Sequence, residues 1–244
     1  MSRPGKLIPY YTRGTIRKFN KKRGKYGPDP YMKYKEIDLF SEILEKLQPE
    51  KVLEYGCGFS TLYYPPQLQP KAEWISVEHN SEWYEQIAPE IEANNDKVRV
   101  FNVKSDMATY PDDGYYEDFK SYIHFPEQFA PYDLILVDGM ARESCIEQGM
   151  EMLSPEGLLV IHDCNRKKYQ PFIKKFPNWI IMEDFRKTSG GFGFGWTKSP
   201  VANLVDFEKH SRLWKIDSRI NNFFKFKFLL GKKAKPFCFS SSRA

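Results

Sequence analysis

The stretch Val52-Leu53-Glu54-Tyr55-Gly56-Cys57-Gly58-Phe59-Ser60-Thr61 decides the fold. A short apolar run ends in an acid and enters a turn with two closely spaced glycines. About twenty residues further on, a second apolar run, Trp74-Ile75-Ser76-Val77, also ends in an acid, Glu78. This is how a βαβ unit holds the adenosine part of a cofactor. The glycines let backbone N–H groups approach the ligand, and the second acid takes the ribose hydroxyls. The pattern is G-x-G-x-S-T, so the third glycine of a pyrophosphate-binding turn is missing. An acid before the first glycine suits a ligand with a positive amino group.

The rest of the chain extends the alternation. Ile37, Phe40, Ile43, Leu44 and Leu47 recur at helical spacing and predict a helix that stops near Pro49. Strands are expected at Val52–Tyr55, Trp74–Glu78, Val98–Val103, Leu134–Val137, Leu158–Ile161, Trp179–Met182 and Phe192–Trp196. Helices are expected at Ser81–Ala93, Glu143–Leu153 and Tyr169–Phe176, with a short one capped by Ser60 and ended by Pro65-Pro66. The continuous apolar runs at 134–137 and 158–161 suit parallel strands buried on both faces. The fold class is therefore α/β: a doubly wound, mostly parallel seven-stranded sheet with helices on both faces. Ligands in such sheets sit at the carboxyl ends of the strands. Glu54, Glu78, Asp106, Asp138 and Asp163 all fall at or just past predicted strand ends.

Four segments in order resemble the class I S-adenosylmethionine (SAM) methyltransferases. They are Glu54-Tyr55-Gly56-Cys57-Gly58, Val77-Glu78-His79-Asn80, Tyr132-Asp133-Leu134-Ile135-Leu136-Val137-Asp138-Gly139, and Leu153-Ser154-Pro155-Glu156-Gly157-Leu158-Leu159-Val160-Ile161-His162-Asp163. The pattern is most similar to bacterial and viral enzymes that O-methylate sugars and small molecules. The resemblance implies a Rossmann-like fold, SAM as cofactor and transfer of a methyl group to a hydroxyl. Glu54 would accept from the cofactor amino group, directly or through water, and Gly56 and Gly58 would admit its methionine and ribose. Ser60 and Thr61 would donate to its carboxylate, Glu78 would bind the ribose with His79 beside it, and Asp106 or Ser105 would lie near adenine. Asp138 would sit at the same site.

For the chemistry two routes stand open. In one, His162 or Asp163 is the general base. In the other, Asp138, Asp163 and Asn165 hold Mg²⁺ or another divalent cation that acidifies the hydroxyl. Here Cys164 is inserted where the family's metal-dependent members have Asp-Asn. Arg142 and Arg166 are candidates for binding an anionic acceptor. The long stretch from Asp106 to Phe129 reads as an acceptor-binding lid with Tyr115 and Tyr116 as stacking surfaces. The acceptor expected is a hydroxyl, in the sugar of a glycan or glycolipid. A nucleic-acid 2′-hydroxyl methyltransferase and a non-catalytic SAM-fold binding module are the alternatives.

Charge divides the chain. Residues 1–35 hold 11 Lys/Arg against one acid, and residues 201–244 hold 10 against 3. Residues 36–200 hold 16 against 28. The reading is a basic aromatic N-terminal arm (1–35), a SAM-binding domain (36–200) and a basic aromatic C-terminal extension (201–244). Phenylalanines interleaved with lysines over Arg219–Lys233 suit an anionic membrane surface in either helical or strand form. No run approaches the roughly 18 apolar residues of a membrane span. No apolar segment follows the basic start, and Cys57, Cys145, Cys164 and Cys238 are scattered, so a cytoplasmic protein with reduced thiols is expected.

Overall fold

A computed structural model describes residues 13, 14, 16, 29–184, 189–228 and 239–241, with side chains up to Arg219. Helix α1 (Tyr34–Leu47) precedes strand β1 (Lys51–Tyr55). There follow α2 (Phe59–Tyr63), β2 (Glu73–Glu78), α3 (Ser81–Asn94), β3 (Val98–Asn102), α4 (Lys120–His124) and β4 (Tyr132–Val137). Then come α5 (Arg142–Met152), β5 (Leu153–His162), α6 (Gln170–Ile173), β6 (Asn178–Met182) and β7 (Phe192–Trp196). Helices α7 (Val201–Leu204) and α8 (Phe207–Phe228) and strand β8 (Phe239–Ser241) complete the chain.

The strands form one sheet in the order β3-β2-β1-β4-β5-β7-β6-β8. β1 pairs in parallel with β2 and β4, β2 with β3, and β4 with β5. β7 runs antiparallel to both β5 and β6. The seven expected strands are present, and β8 adds an eighth, antiparallel to β6. Its sequence, Phe239-Ser240-Ser241, is too short and too polar to show periodicity.

Residues alternate between the two faces as a pleated strand requires. Val52, Trp74, Leu134, Leu136, Leu158 and Val160 pack with α1 and with Trp214 of α8. Leu53, Ile75, Val77, Ile135, Val137, Leu159 and Ile161 pack with Cys145 and Ile146 of α5. Each Leu, Ile or Phe sealed in this way contributes about 1.5–3 kcal/mol. Helix α1 buries Ile37, Phe40, Ile43 and Leu44 and ends where Gln48 turns left-handed, its N–H donating to the Leu44 carbonyl at 2.9 Å.

The segment read as a long lid is largely structured. Asp106 caps α4 by accepting from the Ser121 N–H and hydroxyl, at 2.8 and 2.5 Å. Phe119, Tyr122 and Ile123 plug the core beneath. Tyr115 and Tyr116 stay exposed. Asn80 caps α3, accepting from the Trp83 N–H. Of the basic arm, Arg13 pairs with Asp38 and lies over the Tyr34 ring at 4.1 Å. Of the Phe-Lys stretch, helix α8 carries the backbone to Phe228, while 229–238 and the side chains after Arg219 lie outside the described residues. No helix among the described residues is long and apolar enough to cross a membrane.

Candidate active site

Parallel β1, β2, β4 and β5 bring their carboxyl ends to one edge. The chain order reverses between β1 and β4, and a crevice opens there. It holds a cleft of about 310 Å³ lined by residues of the turns after β1, β2 and β4, among them Glu54, Gly56, Ser60, Glu78, Trp83 and Asp138.

Its floor is made of two glycines. Gly56 has φ +95°, which a side chain resists, and its N–H donates to the Val77 carbonyl at 2.8 Å. A Cβ on Gly56 would meet Gly139 Cα at 3.1 Å, and one on Gly139 would meet the Tyr122 hydroxyl at 2.1 Å. The turns after β1 and β4 thus touch backbone to backbone.

Glu54 closes the inner wall. Ser60 and Thr61 donate to it at 2.5 and 2.7 Å, and Ser76 and the Trp74 indole donate at 2.9 Å each. Burial raises its pKa to about 7, against the pull of those four donors. Ser60 and Thr61 were expected to face a cofactor carboxylate. Here their hydroxyls serve Glu54, and the N-cap of α2 is Gly58, not Ser60. Glu78 is buried at the end of β2, and its oxygens accept from the Cys57 N–H at 3.1 Å and the Asn80 N–H at 2.7 Å. His79 pairs with it at 2.9 Å and faces Phe119. The Trp83 indole donates to the Cys57 carbonyl at 2.8 Å and forms a side wall that sequence reading left without a role.

Beyond β4 lies a charged row. Asp138 Oδ1 is 3.0 Å from His162 Nδ1 and 3.1 Å from Arg142 Nη2. His162 Nε2 is 3.5 Å from Glu36 Oε2, and Glu36 is sealed from solvent. Glu36 also accepts from the Lys33 and Gly191 N–H groups, at 2.7 and 2.8 Å. Burial alone would lower the His162 pKa, but two flanking carboxylates push it up to about 10. Burial alone would raise Asp138, yet the His162 and Arg142 charges hold it below the usual carboxylate range. A protonated imidazole has no lone pair with which to take a proton. The ring thus lies between two carboxylates, with Nδ1 toward Asp138 and Nε2 toward Glu36. Sequence reading missed Glu36. The signal was an acid four residues before Phe40, on the apolar face of α1.

The expected metal ligands do not fit a metal. Arg142 lies between two of them, with Nη1 3.8 Å from Asp163 Oδ2. Asp163 also accepts from the Gly190 N–H. The third, Asn165, is consumed by the fold: its oxygen accepts from the Asp184 N–H at 2.7 Å, and its nitrogen donates to the carbonyls of Asp184 and Ser189. Among the described residues no His, Cys, Asp and Glu group is arranged to hold a metal ion. Arg142, expected at the acceptor, lines the cleft. It donates to the carbonyls of Gly139, Asp138 and His162 at 2.8, 2.9 and 2.9 Å. Arg166 is outside the residues that line the cleft, 3.4 Å from the Tyr169 hydroxyl and 3.8 Å from Asp112. Asp106, the exposed cap of α4, and Tyr115 and Tyr116 are outside the residues that line the cleft.

No protein-family model matches the sequence, and no curated protein matches it. Solved structures do share the fold. A methyltransferase from Geobacter sulfurreducens is 11% identical with TM-score 0.53, over 79% of this chain and 93% of its own. The O-methyltransferase TomG from Streptomyces achromogenes, solved with SAM, is 14% identical with TM-score 0.52, over 74% and 86%. An O-methyltransferase from Bacillus cereus in complex with SAH is 14% identical with TM-score 0.51, over 78% and 92%. The fold is the Rossmann-like fold of class I methyltransferases.

Proposed function

We propose that the chain is a SAM-dependent methyltransferase acting on a hydroxyl, in the sugar of a glycan or glycolipid. One observation carries the reading: a cleft at the switch point in which Glu54, Glu78 and Asp138 surround the paired glycine turns. That donor set suits SAM. Glu78 would take the ribose hydroxyls, Glu54 and Asp138 lie where a positive amino group is welcome, and the glycine floor admits close approach. An acidic cleft disfavours a pyrophosphate cofactor. The O-methyltransferases that share the fold agree with a hydroxyl acceptor.

When bound, the cofactor supplies an electrophilic methyl group. The chain's own residues supply position. Among the described residues nothing bonds Asp138 Oδ2, while Oδ1 is fixed by two cations. Oδ2 is thus available to accept from the acceptor hydroxyl and orient its oxygen. Held below the usual carboxylate range, Asp138 is a weak base, so orientation carries most of its effect. Such positioning is worth up to about 7–11 kcal/mol of barrier.

Calorimetry with SAM and SAH tests the cofactor. Glu78→Ala is expected to weaken binding by about 1–3 kcal/mol. No binding of either ligand to wild type would defeat the reading, and equal affinity in the variant would defeat the ribose assignment. A transfer screen with labelled SAM against glycans, lipids and RNA identifies the acceptor. Label in RNA alone would favour a 2′-hydroxyl enzyme.

A further inference from the structure

The guanidinium of Arg142 lies between Asp138 and Asp163, the two carboxylates that a catalytic divalent cation would bridge in such a site. It is largely buried, 11% exposed, and every arm of the fork is used. Nε holds the turn after β4 through the Gly139 carbonyl, Nη2 holds the Asp138 carbonyl and carboxylate, and Nη1 holds the His162 carbonyl at the end of β5. The Tyr169 ring lies 5.8 Å from its Cζ. The backbone is bent to deliver it: Ala141, just before, takes a left-handed φ of +45°, and its N–H is held by the Asp113 carbonyl at 2.6 Å. A non-glycine residue held in that region costs on the order of 1 kcal/mol and persists only where its surroundings fix it.

We propose that Arg142 is the resident cation of this site, standing where a divalent metal would bridge Asp138 and Asp163, and that methyl transfer here is metal-independent. The inference rests on the methyltransferase reading and deepens it. Mg²⁺ needs near-octahedral oxygen ligands at about 2.0–2.1 Å. Asp138 Oδ1 already faces Arg142 and His162, and Asn165 Oδ1 is turned to the Asp184 N–H at 2.7 Å. A planar fork that reaches two strand ends at once fixes what it touches, as a mobile ammonium does not. Arg142 is therefore a positioning residue. It holds one oxygen of Asp138 still so that the other presents a single geometry to the acceptor hydroxyl.

The test titrates metal-stripped protein with Mn²⁺ and follows the free-ion signal by electron paramagnetic resonance, with SAM calorimetry in parallel. Wild type is expected to leave the Mn²⁺ signal intact and to bind SAM equally with and without chelator. Arg142→Met removes the charge but keeps a long side chain. It is expected to take up a stoichiometric Mn²⁺, seen as loss of signal, and to lose that uptake when Asp138→Asn is added. A merely structural arginine would create no such site. Arg142→Gln, which retains donors for the carbonyls, gives the same reading if the methionine variant does not fold. Stoichiometric Mn²⁺ uptake by wild type, or none by a folded Arg142 variant, overturns the proposal. Loss of SAM binding in wild type would instead defeat the methyltransferase reading and leave the Mn²⁺ result to stand by itself.

Discussion

Replacing His162 by Gln removes the imidazolium held between Glu36 and Asp138 and leaves two carboxylates facing each other across the end of β5. The size of the effect follows from the cluster. Burial lowers the histidine pKa, yet the carboxylates carry it from 6.5 to about 10. One pKa unit corresponds to about 1.4 kcal/mol. Removing one partner from a buried ion cluster typically costs about 3–5 kcal/mol, and the shift is of that order. Because the folded value lies above the free one, the group takes up a proton on folding between these values. Its contribution is full below about pH 6.5 and is lost as pH rises through about 10. Urea unfolding of wild type and His162→Gln at intervals from pH 6 to 10.5 reads this directly. The two curves should lie furthest apart at the acid end, near pH 6, and converge at the alkaline end. Lysines and tyrosines titrate there in both proteins, so their effect cancels in the difference. A gap below about 1 kcal/mol at pH 7, or parallel curves throughout, would mean that the imidazole is neutral in the folded protein and that the charged row is misread.

Gly139→Ala drives a Cβ to 2.1 Å from the Tyr122 hydroxyl and 2.9 Å from the Gly56 nitrogen, so one of the two turns must move. A stability loss of about 1–3 kcal/mol with sharply weakened SAM binding is expected in urea melts and calorimetry, and unchanged affinity would show that the paired turns do not form the ligand floor. Asp106→Ala removes the cap of α4 and should cost about 1 kcal/mol in the same melts while leaving SAM affinity unchanged. A large loss of SAM affinity in Asp106→Ala would restore this residue to the adenine site.

The strand ends were legible because the parallel sheet is sealed on both faces. Runs such as Leu134–Val137 have no polar interruption, so the acid that ends each run marks an edge. The glycine turn was legible because few residues other than glycine accept φ +95° at Gly56. What each acid does was less so. Ser60 and Thr61 read equally well as donors to a ligand or to Glu54, and only three-dimensional placement chooses. Asp138, Asp163 and Asn165 have the chemistry of a metal site, but Arg142 is brought among them by the bend at Ala141, which no residue type there announces. Glu36 meets His162 through packing of α1 on the sheet, a contact that local spacing cannot carry.

The buried ammonium of Lys35 has a consequence of its own. It is paired with Asp184, beside the β6–β7 connection, at 2.9 Å and with Asp217 in α8 at 3.0 Å. Asp184 in turn exchanges hydrogen bonds with Asn165, past the end of β5. Helix α1, helix α8 and the segment after β6 therefore meet through one buried cluster beside the end of β5. Leaving a charge sealed without its counterion is far costlier than losing apolar contact of the same size. A chain cut before α8 would keep every residue that lines the cleft and still deprive Lys35 of its pairing with Asp217. Until α8 packs against α1, Lys35 keeps its pairing with Asp184 and lacks the one with Asp217.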